Sequence, residues 1–294
     1  MAKHDPNNYS NYWTDKDVQG ISFLKAHFRN LQYAPHVHEE FVIAMTFNGA
    51  GKSVTKHGSD ISTPGQILVY NPHEPHEGGA VEDVGWHYRA FYIDGSALER
   101  LSLALSHDRT GPCYFFRNCI DDSALAETML RAHAVFETSR DPVERQACLL
   151  DAVSALYGRY GEPRFKPARL GRESGPLKAV VDYMRAHYAQ AITMAELAAI
   201  ARLSEFHFMR VFRKQFGLSP YTYLTQIRLE HARRTLASGN NGARAAAEAG
   251  FFDQSHLVRH FKRVYGITPN QFVTAVKRTS AGLHDSMRAD GKAT

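Results

Sequence analysis

SEFHFMRVFRKQFGLSPYTYLTQIR, residues 204 to 228, returns 49 positions later as DQSHLVRHFKRVYGITPNQFVTAVK, residues 253 to 277. His207, Arg210, Phe212, Gly217, Pro220 and Thr225 recur as His256, Arg259, Phe261, Gly266, Pro269 and Thr274. Each copy has an apolar stripe at helical spacing, a basic edge, a glycine stop and a Ser/Thr-Pro start for the next helix. Upstream of the first copy, Thr193 and Glu196 form a capping box that opens a short helix. A tight turn at Arg202-Leu203 then leads to a second helix capped by Ser204, which is the pattern of a helix-turn-helix. Phe208 and Phe212 share the inward face, against Leu197 and Ile200, and Leu257 and Phe261 do the same in the second copy. Residues 220–238 should join the copies as one helix about 28 Å long. Tyr223 and Ile227 lie on one of its sides, with Leu229, Ala232 and Leu236 nearly opposite. Such a helix can be clamped by a subdomain at each end, which holds two basic readers at a spacing compatible with successive major grooves of one duplex.

The rest of the chain sets the bounds. Its 294 residues suffice for two domains with separate cores, and 44% apolar residues is a globular composition. Residues 1–165 carry 15 Lys and Arg against 21 Asp and Glu, whereas residues 176–294 carry 17 against 8. Only the back half is suited to lie on a polyanion. Between them, Gly161 to Pro176 is rich in proline and glycine and reads as a linker, and the polar stretch from Thr279 reads as a frayed tail. Three cysteines without zinc-type spacing, no apolar span and no signal-peptide core point to a cytoplasmic chain without membrane contact.

In the front half, Phe41 to Phe47, Gln66 to Tyr70 and Trp86 to Tyr92 read as strands, separated by turn residues at Asn48 to Gly51 and Pro64-Gly65. Residues 20–95 therefore read as a sandwich or jelly-roll barrel. Two amphipathic helices follow, one striped by Leu125, Met129, Ala132 and Phe136, the other opened by Asp141-Pro142-Val143-Glu144 and continued by Leu149, Val153, Leu156 and Tyr160. They pack on their own barrel or join two copies of the chain.

The residues Arg228…Ala232…Leu236, Gly250-Phe251…Ser255-His256-Leu257…Phe261-Lys262…Gly266…Pro269 resemble the tandem helix-turn-helix domain of the AraC/XylS transcription regulators. The order His-x-His, strand, Gly-turn, Pro-Gly and Asn71-Pro72…Pro75-His76 resembles a small cupin domain, the usual effector-binding front half of that family. The resemblance implies a cupin-like effector and dimerisation domain over 1–162, a linker over 163–176, a double helix-turn-helix domain over 177–278 and a disordered tail over 279–294. Base contacts then fall on Phe206, Met209 and Arg210 in the first reader and on Gln254, Ser255 and Arg259 in the second. Arg213, Lys214, Lys262 and Arg263 would hold phosphates, which position without specifying. One departure is the helix Ala243 to Ala249 preceded by Gly242, where larger aliphatics are usual. Its small side chains imply a softer second subdomain.

In the front domain His36, His38, Glu40, His76, Arg89 and Tyr92 are the expected effector-pocket residues. His36, His38 and His76 are also the ligands a metal cupin would use. The family carboxylate is missing, with Val42 and Ile43 in that region. No metal or other cofactor is therefore expected, with a metal as the alternative. The segments HVHEEFVIAM, NPHEPHEGG and WHYRAFY further resemble a branch found beside amino-acid exporter genes, which implies an amino acid or related polar metabolite as effector. The expected partners are double-stranded DNA, the effector and a second copy of the chain, with RNA polymerase as a further one. The expected activity is effector-controlled transcription, as an activator and not as an enzyme. The alternative is a metal-dependent cupin enzyme carrying a DNA-binding domain.

Overall fold

The computed structural model describes residues 8–105, 114–162 and 175–277. The front half contains β1 (Asn8–Thr14), β2 (Ile21–Phe28), β3 (Gln32–His36), β4 (Phe41–Gly49), β5 (Gly51–Thr55), β6 (Gly58–Ser62), β7 (Gln66–Tyr70), β8 (His76–Ala80) and β9 (Trp86–Ile93). After these come α1 (Gly95–Leu105), β10 (Cys119–Asp121), α2 (Ser123–Thr138) and α3 (Pro142–Tyr160). A six-stranded sheet, β1-β2-β9-β4-β7-β10, faces a four-stranded one, β3-β8-β5-β6.

The larger sheet is covered on both faces. Phe23, Phe41, Ile43, Met45, Val69, Phe91 and Ile93 point toward α2 and α3, in one core with Leu125, Met129, Val153 and Leu156. Leu24, Ala26, Val42, Ala44, Leu68, Tyr88 and Ala90 point the other way, into a second core. A strand buried on both faces has no polar side, which is why Phe41 to Met45 reads as an unbroken apolar run. Both expected front-half helices form as read, each with an aspartate cap: the Asp122 carboxylate accepts from Leu125 N, and the Asp141 carboxylate accepts from Val143 N. Helix α1 was not anticipated. It is started by Asp94, whose carboxylate accepts from Ala97 N at 2.8 Å, and it buries Ala97 and Leu98.

The back half is helical: α4 (Gly175–His187), α5 (Met194–Ile200), α6 (Glu205–Phe216), α7 (Pro220–Ala237), α8 (Gly242–Glu248) and α9 (Gln254–Tyr265), with a last helical stretch over 269–277. The expected linker lies outside the described residues apart from Gly175 and Pro176, which begin α4, and the expected tail over 279–294 lies wholly outside them. The Thr193/Glu196 capping box forms in full. So does the Thr268/Gln271 box, with Thr268 N donating to Gln271 Oε1 at 2.8 Å and Gln271 N to Thr268 Oγ1 at 3.3 Å. Helix α7 is shared as its two apolar sides require. Tyr223 and Leu224 belong to the core of α4, α5 and α6, and Leu229, Ala232 and Leu236 to that of α8 and α9.

The two halves touch along the line of the repeat. Gly217 and Gly266 end α6 and α9 in the left-handed conformation, at φ 71° and 69°. A Cβ on Gly217 would lie 2.8 Å from Pro75 Cγ, and one on Gly266 would collide with the Tyr33 hydroxyl. Both helices thus lean their C-terminal ends on the β-domain. The second subdomain goes further, because its core is continuous with the second core of the β-domain. Tyr12 packs on Phe272 with ring centres 5.9 Å apart.

Candidate nucleic-acid interface and ligand pocket

Helices α6 and α9 are amphipathic in the way their sequence dictates. Phe208, Phe212, Leu257 and Phe261 are fully buried. Met209, Arg210, Arg213 and Lys214 stand exposed on α6, and Gln254, Ser255, Arg259, Lys262 and Arg263 on α9. The side chain of Phe206 lies outside the described residues. Each helix begins at a side-chain cap, with His207 N donating to Ser204 Oγ at 3.4 Å and His256 N to Asp253 Oδ1 at 2.6 Å. The two exposed faces present one arginine each at equivalent positions, together with flanking cations, which is the composition that contacts base edges and phosphates.

The two turns are not identical. The left-handed residue is Arg202 at φ 56° in the first and Gly250 at φ 78° in the second. From there to the cap is one residue longer in the second turn, and the extra residue is Phe252, which is 92% exposed. Sequence reasoning missed it, although the signal was present: the helices repeat at 49 positions and the turn residues at 48. Gly242 also finds a reason, since a Cβ there would lie 2.8 Å from Nε2 of Gln254. The glycine makes room for that side chain beside α8.

Between the two sheets lies a half-open cavity of about 40 Å³. Its lining includes Tyr33, His36, His38, Tyr70, His76, Trp86, Tyr88 and Tyr92 from the β-domain and Val264 from α9. His36 Nδ1 donates to the Ala34 carbonyl at 2.6 Å and His76 Nδ1 to the Glu74 carbonyl at 2.8 Å, because a carbonyl can only accept. His36 Nε2 lies 3.1 Å from His38 Nε2, and Tyr70 stacks on His76 with ring centres 4.0 Å apart. Burial disfavours protonation of these rings. It pushes His36 down to about 4, against a smaller opposing pull from the Ala34 carbonyl, and it pushes His38 and His76 well below the usual histidine range.

Of the six expected pocket residues, His36, His38, His76 and Tyr92 line the cavity. Arg89 does not, which corrects the expectation. On β9, Trp86, Tyr88, Ala90 and Tyr92 face the cavity, so the residue at 89 faces α2. There its guanidinium donates to His133 Nδ1 at 2.9 Å and pairs with Glu137. Strand alternation alone would have separated Arg89 from Tyr92 and brought in Tyr88. Glu40 is buried beside the cavity but is committed to another partner, Arg233 of α7. Arg233 also pairs with Glu230 at 3.1 Å and lies 5.9 Å from the centre of the Tyr265 ring. Tyr265 in turn stands 6.3 Å from His38, ring centre to ring centre. The end of α9 therefore closes part of the cavity.

Residues 18–153 match the AraC-like ligand binding domain, and residues 197–275 match a helix-turn-helix domain. YbfI of Bacillus subtilis (strain 168), an uncharacterized HTH-type transcriptional regulator, is 25% identical over 226 residues, which span 77% of this chain and 82% of that protein. RafR of Pediococcus pentosaceus, a raffinose operon transcriptional regulatory protein, is 23% identical over 217 residues, 72% of this chain and 76% of that one. Among solved structures, unsaturated fatty acid bound ToxT from Vibrio cholerae superposes with a TM-score of 0.52 at 11% identity, covering 93% of this chain and 97% of that one. That likeness is one of fold. Among the described residues no helix is long and apolar enough to cross a membrane.

Proposed function

Since this chain belongs to the AraC/XylS family of transcription regulators, we propose that a small molecule held between its two sheets controls how α6 and α9 engage two successive major grooves. One observation carries the reading. Val264, within α9, is part of the cavity wall. A ligand that prefers one placement of α9 over another changes the population of DNA-competent molecules, and only that preference can do so. The effector fits the description of a small polar metabolite of amino-acid size. Four tyrosines and three neutral imidazoles offer hydrogen bonds around aromatic walls. The chain acts as an activator that contacts RNA polymerase from its bound site. The 1–162 and 177–278 segments act as separate effector and DNA modules.

In this reading Met209, Arg210, Gln254, Ser255 and Arg259 face base edges, with Phe206 beside them and Phe252 as an apolar contact at the start of the second reader. Arg213, Lys214, Lys262 and Arg263 hold phosphates. The test is recovery of genomic fragments by the purified chain at physiological salt, followed by sequencing. The expected result is a motif with two boxes about one helical turn apart. Arg210→Ala and Arg259→Ala should each lose about 1–3 kcal/mol of discrimination at one box, roughly 10- to 100-fold, while Lys262→Ala weakens binding to all sequences alike. Uniform recovery without a motif, or arginine variants that weaken every sequence equally, would overturn specific reading. Transcription from a recovered promoter in a purified system decides the sign.

The chain further acts as a homodimer through α3. This helix buries Leu149, Val153 and Leu156 inward yet leaves Val143 71% and Leu150 37% exposed. Sedimentation equilibrium should find a dimer that Val143→Glu with Leu150→Lys converts to monomer. A wild-type monomer at micromolar concentration would refute it.

A further inference from the structure

We propose that Phe252 reads a thymine by its methyl group, at the edge of the DNA box that α9 enters. The proposal rests on α9 lying in a major groove, and it names what stands at the leading end of that helix. Among the described residues Phe252 is the most exposed large apolar side chain, at 92%. Its neighbour Phe251 is 6% exposed and belongs to the core that holds α8 and α9 together. Two adjacent phenylalanines therefore take opposite roles, one anchoring the turn and the other projecting from it.

The projection is held in place by its backbone. Phe251 N donates to the Ala246 carbonyl at 2.9 Å, and Phe252 N donates to His256 Nδ1 at 3.4 Å, inside the first turn of α9. Asp253 follows in an extended conformation, at φ −155° and ψ 176°, and its carboxylate accepts from His256 N. His256 in turn lies edge-on to Phe251, with ring centres 5.4 Å apart. With the chain pinned on both sides, the Phe252 ring has only its own side-chain torsions to lose on binding.

The surroundings of the ring fix the class of partner. Gln254 and Ser255 follow it on α9, and Arg259, Lys262 and Arg263 stand exposed further along the same helix. An apolar protein surface would strand these polar and cationic groups, whereas a duplex meets them with base edges and phosphates. In the major groove the thymine methyl is the apolar group on a base edge, and phenylalanine is one of the side chains that packs on it. The first turn has no equivalent residue. It runs from Arg202 to Ser204 through Leu203 alone, and Leu203 is half-buried against the core of α4, α5 and α6. The thymine requirement therefore belongs to one box of the two, and it fixes which way round the chain lies on its site.

The test is selection from a pool of random-sequence duplexes by the full-length chain and by its Phe252→Ala variant. The wild type should prefer thymine at one position flanking the box that Arg259→Ala relaxes. Phe252→Ala should lose that preference and keep the rest of both boxes. Deoxyuridine differs from thymidine by the methyl group alone. Placing it at that position should weaken wild-type binding roughly three- to fivefold and leave Phe252→Ala unaffected. The same replacement flanking the other box should change neither protein. Because Phe252 carries no charge, the salt dependence of binding should be the same in both. A thymine preference that persists in Phe252→Ala, or an equal response of both proteins to deoxyuridine, overturns the proposal. So does a variant that binds every sequence more weakly in equal measure, which would put the ring on the sugar-phosphate backbone. Boxes that depend on Arg210 and Arg259 but not on Phe252 would overturn this inference and leave base reading by the arginines intact. Failure of the wild type to select any box would overturn both.

Discussion

Replacing Glu40 by alanine is expected to free the end of α7 and the second reader from the β-domain. The Glu40 side chain is 11% exposed and its partner Arg233 22%. Most of the hydration of both charges has therefore been given up for the contact between them. Removing one member of such a pair leaves the other largely dry and unpaired, and this commonly costs 3–5 kcal/mol. Arg233 keeps Glu230 at 3.1 Å, within its own helix, so a loss on the order of 2–3 kcal/mol is expected here. The loss should be local. Amide exchange should accelerate in α7 and α9 more than in α4 to α6, whose core does not include the β-domain sheet. Arg233→Ala should lose a similar amount, and the double variant much less than the sum, because the pair is one interaction. Additive losses, or a change below about 0.5 kcal/mol in either single variant, would show that the contact does not hold the halves together. If the second reader is restrained by this contact, Glu40→Ala should also lessen the effect of effector on DNA affinity.

Acid should unfold the β-domain through His133. This ring is completely buried beneath Phe23, Phe91 and Trp13. Burial is the larger cause and the nearby Arg89 guanidinium the next, and together they push it down to about 3. Its usual value is near 6.5, so between those limits the unfolded chain binds a proton that the folded chain refuses. Stability from this residue is therefore complete above about pH 6.5 and is lost as pH falls toward 3. At 1.36 kcal/mol per unit, lowering the pH from 6.5 to 4.5 should cost about 2–3 kcal/mol from this ring. Denaturant unfolding at a series of pH values should show His133→Met losing less stability than wild type over this range. The difference between the two slopes isolates His133 from the other buried histidines. Parallel slopes would mean that the ring accepts its proton without unfolding.

Much of this molecule was legible without coordinates. The repeat located both readers, because a helix that packs on one face must repeat its apolar residues every three to four positions, whatever surrounds it. Thr193, Ser204, Ser219 and Asp141 announced helix starts, because a capping side chain satisfies its own local backbone. Strand β7 was located to the residue. The cavity was only partly legible. His36, His38, His76 and Tyr92 were identified, whereas Tyr88 and Trp86 were overlooked and Arg89 was placed on the wrong face, an error that the two-residue period of a strand could have prevented. The one-residue lengthening before α9 that exposes Phe252 was likewise written in the sequence.

The sequence by itself determined what local rules govern: two domains, one β and one helical, the order of their main elements, and which faces of α6 and α9 meet solvent. Tertiary structure alone decided what passes between distant residues. Arg233 and Glu40 are 193 positions apart, and no periodicity relates them. Nor does any local signal place Val264 in the cavity wall. Those contacts depend on how two sheets face each other and how a helical subdomain docks on them. That docking is set by the summed burial of two complementary surfaces, and no short stretch of chain contains it.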